Sequence, residues 1–477
     1  MRILSVASEM VPYAKTGGLA DVMGALPRYL AARGHDVRVF MPWYDRVAAA
    51  VPQVDVVLEA LDVKVGPYEF RTRIVRDRAN PIAWFVQCAA LFERGYIYGG
   101  QGDEHRRFLV LSQAALMTCQ RTAYAPDIIQ CNDWQSAMIP LMLRSQFAWD
   151  TLFAESKTVL TIHNLNYQGG FDAVILPELN LGGREHLLHQ EYLKNGRINF
   201  LLHGVIYADV ITTVSPTYAR EIQTEEHGSG MDPFLRARKS SIVGILNGVD
   251  YNEWSPEIDP HIAQRYDAAN PGLKEINKQA LLQQMGLPYV PGVPLAGIVS
   301  RLVSQKGFEL VGEALPKILA GRELQLVVLG SGEPRLEEMF HGLQRSFPRQ
   351  VSFYRGFSNP LAHRIEAGAD MFLMPSRYEP CGLNQMYSLR YGTVPVVHAT
   401  GGLADTVELW NPRTQSGTGV VFDHHDAAGL AWALNATMRI YRDRSAWRRL
   451  MHNGMTRDYS WARQAAIYEQ LFERMRD

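Results

Sequence analysis

What this 477-residue chain lacks narrows its chemistry before any motif is read. Its four cysteines, Cys88, Cys119, Cys131 and Cys381, are scattered and form no Cys-x-x-Cys pair, which argues against a zinc ribbon or a disulfide framework and fits a reduced cytoplasm. Excess charge of one sign is also missing. Forty-eight Lys and Arg against 49 Asp and Glu leave a formal net charge of −1, so the whole molecule points to neither nucleic acid nor an anionic membrane, and any anion must be bound locally. No apolar run approaches membrane-spanning length and no basic or cleavage-like leader precedes the first strand-like residues, so the expectation is a protein neither exported nor embedded. No G-x-S-x-G, Walker A or G-x-G-x-x-G turn stands at a strand-to-helix junction, which weakens hydrolase, kinase and dehydrogenase readings. Asp423, His424, His425 and Asp426 sit together without familiar ligand spacing and read as a solvated loop, so no metal is expected.

What is present is an α/β pattern, repeated. Short β-rich runs recur at 3–7, 37–41, 127–131, 158–162 and 210–214, then at 295–299, 324–329, 351–354, 370–374, 394–397 and 419–422, with helical patterns between them. Such alternation predicts parallel sheets in two Rossmann-like domains, and 477 residues exceed what one core usually serves. Turn residues and a proline place a linker at 246–256, between an N-terminal domain over 1–245 and a C-terminal domain over 257–459. From Ser460 onward, Trp461, Ala465, Tyr468, Phe472 and Met475 fall on one face of a helix over 460–477, which must dock on something apolar.

An octapeptide nearly repeats: Lys15-Thr16-Gly17-Gly18-Leu19-Ala20-Asp21-Val22 and Thr400-Gly401-Gly402-Leu403-Ala404-Asp405-Thr406-Val407 each follow a strand and open a helix. A Gly-Gly pair lets backbone approach a ligand, or only permits a tight turn; duplication favours two walls of one cleft. Ligands of open parallel sheets bind beyond the carboxyl ends of the strands. That rule collects Lys15, Asp21, Asp133, Trp134, His163 and Asn164 from the first half, and Arg301, Lys306 and Glu379 from the second. Arg301 and Lys306 suit a diphosphate, a fork beside a point charge, although a solvated basic turn remains open. Gly330-Ser331-Gly332 adds a second flexible approach for a nucleotide. Glu379, followed by Pro380 and Gly382, is a fixed carboxylate suited to a sugar hydroxyl, or a plain N-terminal helix acid.

These segments, with Ser8-Glu9, Asn132-Asp133-Trp134, 161–165, 214–218, 245–250, 300–307 and 375–385, resemble end to end the bacterial glycogen synthase and starch synthase-like glucosyltransferases. The resemblance implies the GT-B fold: α/β, two Rossmann-like domains with parallel sheets facing across a deep cleft, and a C-terminal helix returning to the first domain. It implies retaining transfer of glucose from ADP-glucose to the non-reducing end of an α-1,4-glucan, elongating glycogen, in the cytoplasm and without metal or bound cofactor. Front-face displacement is implied, the leaving phosphate helping to deprotonate the acceptor hydroxyl. Carried over residue by residue, Asp21, His163, Arg301, Lys306 and Glu379 are the catalytic set. Lys15, Gly18, Asn247, Tyr354, Cys381, Gly382, Leu383 and Asn384 join Arg301 and Lys306 around the nucleotide sugar, and Tyr98, Asp133, Trp134 and Asn164 contact sugar or acceptor. Departures stand out: Asn132-Asp133-Trp134-Gln135 stands where many bacterial members read His-Asp-Trp-His, Asn384 replaces a frequent Thr, and Tyr387 stands where the broader E-x7-E pattern has a second acid, which favours the synthase branch. UDP-glucose as donor, a different acceptor, and a non-catalytic glucan-binding homologue are the alternatives. Oligomeric state is not legible.

Overall fold

The computed structural model describes residues 1–99 and 102–476. The chain divides into two compact units, one from Met1 to Gly248 joined by the segment from Trp461 onward, the other spanning Val249–Ser460.

The first unit contains β1 (Arg2–Val6), β2 (Asp36–Pro42), β3 (Val54–Val65), β4 (Tyr68–Asp77), β5 (Ala83–Gln87), β6 (Ile128–Asn132), β7 (Lys157–Ile162), β8 (Gly170–Asp172), β9 (Arg197–Asn199), β10 (Val210–Thr213) and β11 (Ile242–Gly244). Nine of these form one sheet in the order β11-β10-β7-β6-β1-β2-β5-β4-β3, and β8 pairs with β9. Central strands such as β1 and β6 are almost wholly buried, as in parallel sheets covered on both faces, and so read as unbroken apolar runs. The antiparallel ribbon β3–β4 and its neighbour β5 escape the sequence reading. The outer faces of β3 and β4 carry ion pairs, Arg73 with Glu59 at 3.1 Å and Arg76 with Asp55 at 3.2 Å, and a charge-laced half-exposed strand lacks the apolar run that marks a buried one. By contrast β5 is a buried apolar run, parallel to β2, that the sequence reading passes over. The terminal helix Trp461–Arg476 packs on the helix Gly18–Ala32, burying Trp461, Ala465, Tyr468 and Phe472; Glu469 receives His35 at 2.8 Å and pairs with Arg33.

In the second unit β12 (Leu295–Leu302), β13 (Gln325–Gly332), β14 (Val351–Arg355), β15 (Met371–Met374), β16 (Val394–His398) and β17 (Val420–Phe422) form an all-parallel sheet in the order β14-β13-β12-β15-β16-β17. One face is filled by Ile298, Val311, Leu315, Val328, Phe340 and Leu430, the other by Leu281, Val327, Ile365, Phe372 and Leu403. Trp254 is stacked between two rings, His363 at 3.8 Å and Tyr387 at 4.0 Å, the latter on the short helix Asn384–Arg390. Tyr387, the residue in place of a second acid, is thus a packing element.

A buried histidine of the first unit fixes a pH dependence. His203, on the helix Phe200–Tyr207, donates from Nδ1 to the Asn199 carbonyl at 2.7 Å, and its Nε2 accepts from the His189 N–H at 3.1 Å, so the neutral ring satisfies both contacts. Burial pulls this imidazole down to about 4. The unfolded chain therefore binds the extra proton below pH about 6.5, and stability present above that pH falls as acid is added, by about 1.4 kcal/mol per pH unit down to pH about 4. In His203→Gln the slope of unfolding free energy against pH over that window is expected to be shallower by about this amount, measured by urea unfolding at stepped pH. An unchanged slope would remove His203 from the acid response.

Candidate active site

In the first unit the loop ahead of the helix Gly18–Ala32 carries Lys15, whose Nζ donates to Asp21 Oδ1 at 2.7 Å. Burial pushes the Asp21 carboxyl up while Lys15 pulls it back. Sequence reasoning misses the residue that holds this loop. The buried Glu9 carboxylate accepts from the Thr16 N–H, the Thr16 hydroxyl at 2.7 Å, the Gly17 N–H at 3.2 Å and the Tyr98 phenol at 2.5 Å, and Ser8 Oγ lies 2.7 Å from the same phenol. One acid thus ties the Lys15 loop to Tyr98, whose phenol is raised by burial and by Glu9. The only signal in the sequence is an acid beyond the end of β1, eight residues before the first glycine of the pair.

Asp133 follows β6 with φ +53°, a left-handed conformation that costs a non-glycine residue of order 1 kcal/mol and that turns its carboxylate toward the end of β7. There Oδ1 accepts from the His163 N–H at 2.7 Å; burial nevertheless pushes Asp133 up to about 7. The Asn132 amide nitrogen donates to the Val6 carbonyl, so Asn132 Oδ1 is the acceptor facing His163 Nε2 at 3.0 Å. That places the proton on Nε2 and leaves Nδ1 as a buried acceptor with no partner among the described residues. Burial pulls His163 down to about 3, so the ring is neutral near pH 7. Asn247 Oδ1 is another buried acceptor without a partner among the described residues. Each such atom costs about 1–3 kcal/mol unless a donor reaches it, and sugar hydroxyls are donors. Asn164 caps its own turn, accepting from Asn166 N–H at 3.1 Å.

Trp134 departs from the sequence expectation. Its indole, 7% exposed, packs among Phe108 at 5.0 Å, Phe171 at 5.6 Å and Phe200 at 6.3 Å, and Gly169 lies flat against it. The ring is a packing group of the core, where the sequence expectation has it contacting sugar or acceptor.

In the second unit β12 runs on to Leu302, so Arg301 lies within the strand, paired with Ser331, with its side chain exposed. Gly330-Ser331-Gly332 likewise ends β13 and is ladder, not the flexible approach expected. Lys306 closes a 3₁₀ turn beyond β12, and its Nζ donates to Glu379 Oε2 at 2.6 Å; Ser376 Oγ donates to the same oxygen at 2.9 Å. The Lys306 side chain is 18% exposed and that of Glu379 7%. Cys381 is buried, Gly382 has φ +73°, and Leu383 precedes the helix whose first residue, Asn384, ties its side-chain amide to the Val299 carbonyl at 2.7 Å. This takes one of the two N–H groups of that amide. Tyr354, near the end of β14, is 46% exposed.

The two copies of the repeat prove unlike, which corrects the reading of paired cleft walls. A Cβ at Gly17 or Gly18 would meet nothing within 4 Å, so these glycines border open space. At Gly401 it would stand 1.9 Å from the Glu379 carbonyl oxygen, and at Gly402 2.0 Å from that of Cys381. The second copy is a packing device laid on the backbone of the Glu379 turn, with Gly402 N–H donating to the Glu379 carbonyl at 3.0 Å.

No helix among the described residues is long and apolar enough to cross a membrane, and no cluster of three or more His, Cys, Asp or Glu side chains among them is arranged to hold a metal ion.

Residues 2–237 match the starch synthase catalytic domain and residues 289–450 the group 1 glycosyl transferases. The chain is 46% identical over 476 residues to a glycogen synthase of Anaeromyxobacter sp., covering 99% of both chains, and 44% identical over 480 residues to that of Koribacter versatilis, covering 99% of this chain and 98% of the relative. The catalytic domain of starch synthase IV from Arabidopsis thaliana, solved with ADP and acarbose, superposes with a TM-score of 0.90 at 33% identity over 99% of each chain. A sucrose-phosphate synthase from Thermosynechococcus elongatus shares the fold, at a TM-score of 0.61 and 19% identity over 99% of this chain and 98% of its own. With two α/β units, the sheet largely parallel in the first and wholly parallel in the second, strand-end polar groups in each and likeness along the full length, the chain belongs to the glycogen synthase family of GT-B glycosyltransferases.

Proposed function

We propose that this chain transfers glucose from ADP-glucose to the non-reducing end of an α-1,4-glucan, with retention at the anomeric carbon and with no metal or bound cofactor, as a cytoplasmic enzyme. The observation that carries this reading is the Lys306–Glu379 contact of 2.6 Å at the strand ends of the second unit. An ammonium held on a carboxylate can serve a diphosphate oxygen while the carboxylate turns to a sugar hydroxyl, both in a largely dry site where charge acts strongly. Arg301 adds a fork to the same phosphates. The bond from the anomeric carbon to phosphate oxygen breaks, the acceptor 4-hydroxyl oxygen bonds to that carbon on the same face, and its proton passes to the departing phosphate.

His163 Nδ1 and Asn247 Oδ1, buried acceptors, suit glucose and nucleotide-sugar hydroxyls. Lys15, Gly18 and Asp21 belong to the donor loop, and Tyr98, Asp133 and Asn164 to sugar or acceptor. Cys381, Gly382, Leu383, Asn384 and Tyr354 are assigned to the nucleotide side by their match to the family. The named ADP of the starch synthase structure favours an adenine nucleotide.

Incubation with labelled ADP-glucose or UDP-glucose and glycogen tests this directly. Label is expected in the glucan with ADP-glucose, at a higher kcat/KM than with UDP-glucose. No elongation with either donor sinks the reading, and glycogen binding without turnover would support a scaffold instead.

A further inference from the structure

The sequence marks His424-His425 as solvated loop, yet His425 turns inward. Its Nε2 lies 2.8 Å from the carbonyl oxygen of Pro375. His398, ending β16, places Nδ1 2.8 Å from the carbonyl oxygen of Ser376 and Nε2 3.3 Å from that of Asp423. Carbonyls only accept and a neutral imidazole carries one N–H, so His425 donates to Pro375 and the single N–H of His398 serves the nearer Ser376 carbonyl; two successive carbonyls of one turn are then held by two rings 4.9 Å apart. The turn is the one that carries Glu379. It follows β15, and between Met374 and Asn384 no helix or strand holds the backbone, so its buried carbonyls need partners from elsewhere. The same Pro375 carbonyl also limits the Lys306 turn: a Cβ on Gly307, at φ +68°, would stand 1.9 Å from it and 2.8 Å from His425 Nε2. Arg377 N–H donates to the Gln305 carbonyl at 2.9 Å, locking the two turns side by side.

We propose that His398 and His425 are positioning residues for glucosyl transfer, holding the Ser376 and Pro375 carbonyls so that the Glu379 carboxylate meets Lys306. This rests on the reading of Glu379 and Lys306 given above. Neither histidine touches the reacting groups; both act through the backbone of the turn. Geometry at this level controls rate, because a displacement of about 1 Å in a reacting constellation costs up to about 10²-fold.

The test compares kcat and KM for ADP-glucose and glycogen in wild type, His425→Leu, His398→Leu, the amide variants His425→Gln and His398→Asn, and Glu379→Gln. Gln places a donor near the Nε2 position and Asn near the Nδ1 position. Each leucine variant is expected to lose about tenfold in kcat with the KM for glycogen within about twofold of wild type, and its amide counterpart to recover most of that. Wild-type kcat in folded leucine variants, or equal loss in leucine and amide variants, overturns the proposal. If a leucine variant does not fold, His425→Gln is compared with His425→Asn, whose shorter amide cannot span to Pro375; a higher kcat in the former supports the proposal and equal values overturn it. Glu379→Gln separates the two readings. Wild-type turnover there removes the role of Glu379 itself, whereas low turnover there with wild-type turnover in the leucine variants removes only the histidines.

Discussion

Replacing Lys306 by alanine is expected to lower kcat by about 10²–10³-fold, equivalent to about 2.7–4 kcal/mol of lost transition-state stabilisation. Negative charge grows on the leaving phosphate as its bond to the sugar breaks, and Lys306 is the largely buried cation held at the strand ends of the second unit. Without it Glu379 Oε2 keeps the Ser376 hydroxyl but loses its cation, so a carboxylate positioned by a cation becomes an uncompensated like charge facing phosphate. Lys306→Arg keeps the charge but spreads it over a planar fork, and partial recovery is expected. Turnover of purified variants with matched melting curves decides the matter, and a near-wild-type rate in Lys306→Ala would take this residue out of the mechanism.

A comparable loss, in stability, is expected from Lys278→Met. On the helix Lys274–Gln284 the Lys278 ammonium, its side chain 2% exposed, lies 2.7 Å from Asp370 Oδ2, 2.8 Å from the Val293 carbonyl and 3.1 Å from the Tyr441 hydroxyl. Burial opposes this charge, but Asp370 outweighs it and holds the ammonium above the usual lysine range. One turn earlier Lys274 bonds to the Glu366 and Ala367 carbonyls and to the Thr393 and Tyr266 hydroxyls, no carboxylate among them, and burial brings it down to about 7. Removing Lys278 strands the Asp370 charge in the interior, at a cost of about 3–5 kcal/mol. Asp370→Asn in the same chain should return part of this, since the amide oxygen can still accept from Leu295 N–H, now at 2.7 Å. Urea unfolding of the single and double variants measures both effects. A loss under about 1 kcal/mol would show that the pair is not stabilising in this sense.

The sequence was legible where one physical rule governs a residue. Buried parallel strands read as apolar runs, and the strand-end rule gathered Lys306 with Glu379 and Asp133 with His163, pairs that the fold does bring into contact. It was silent where partners are set by distant backbone. Glu9 and the histidines His398 and His425 act on main-chain groups of other loops, and no periodicity records such contacts. Local likeness even misled at the Gly-Gly repeat, since glycine serves open space at Gly17 and Gly18 and crowded backbone at Gly401 and Gly402. The family match carries Trp134 over as a sugar or acceptor contact, and position beside Asp133 says nothing of the three phenylalanines around its ring.

The stack of Trp254 between His363 and Tyr387 equips the second unit with an optical reporter. An indole clasped on both faces is partly screened from water, and its emission moves to longer wavelength once those rings part. Because Tyr387 rides on the helix that follows the Glu379 turn, the emission of this indole follows the seating of that helix. Subtracting the spectrum of Trp254→Phe from that of the parent isolates its signal from the other eight tryptophans, so order at the catalytic turn can be followed in solution without adding a label.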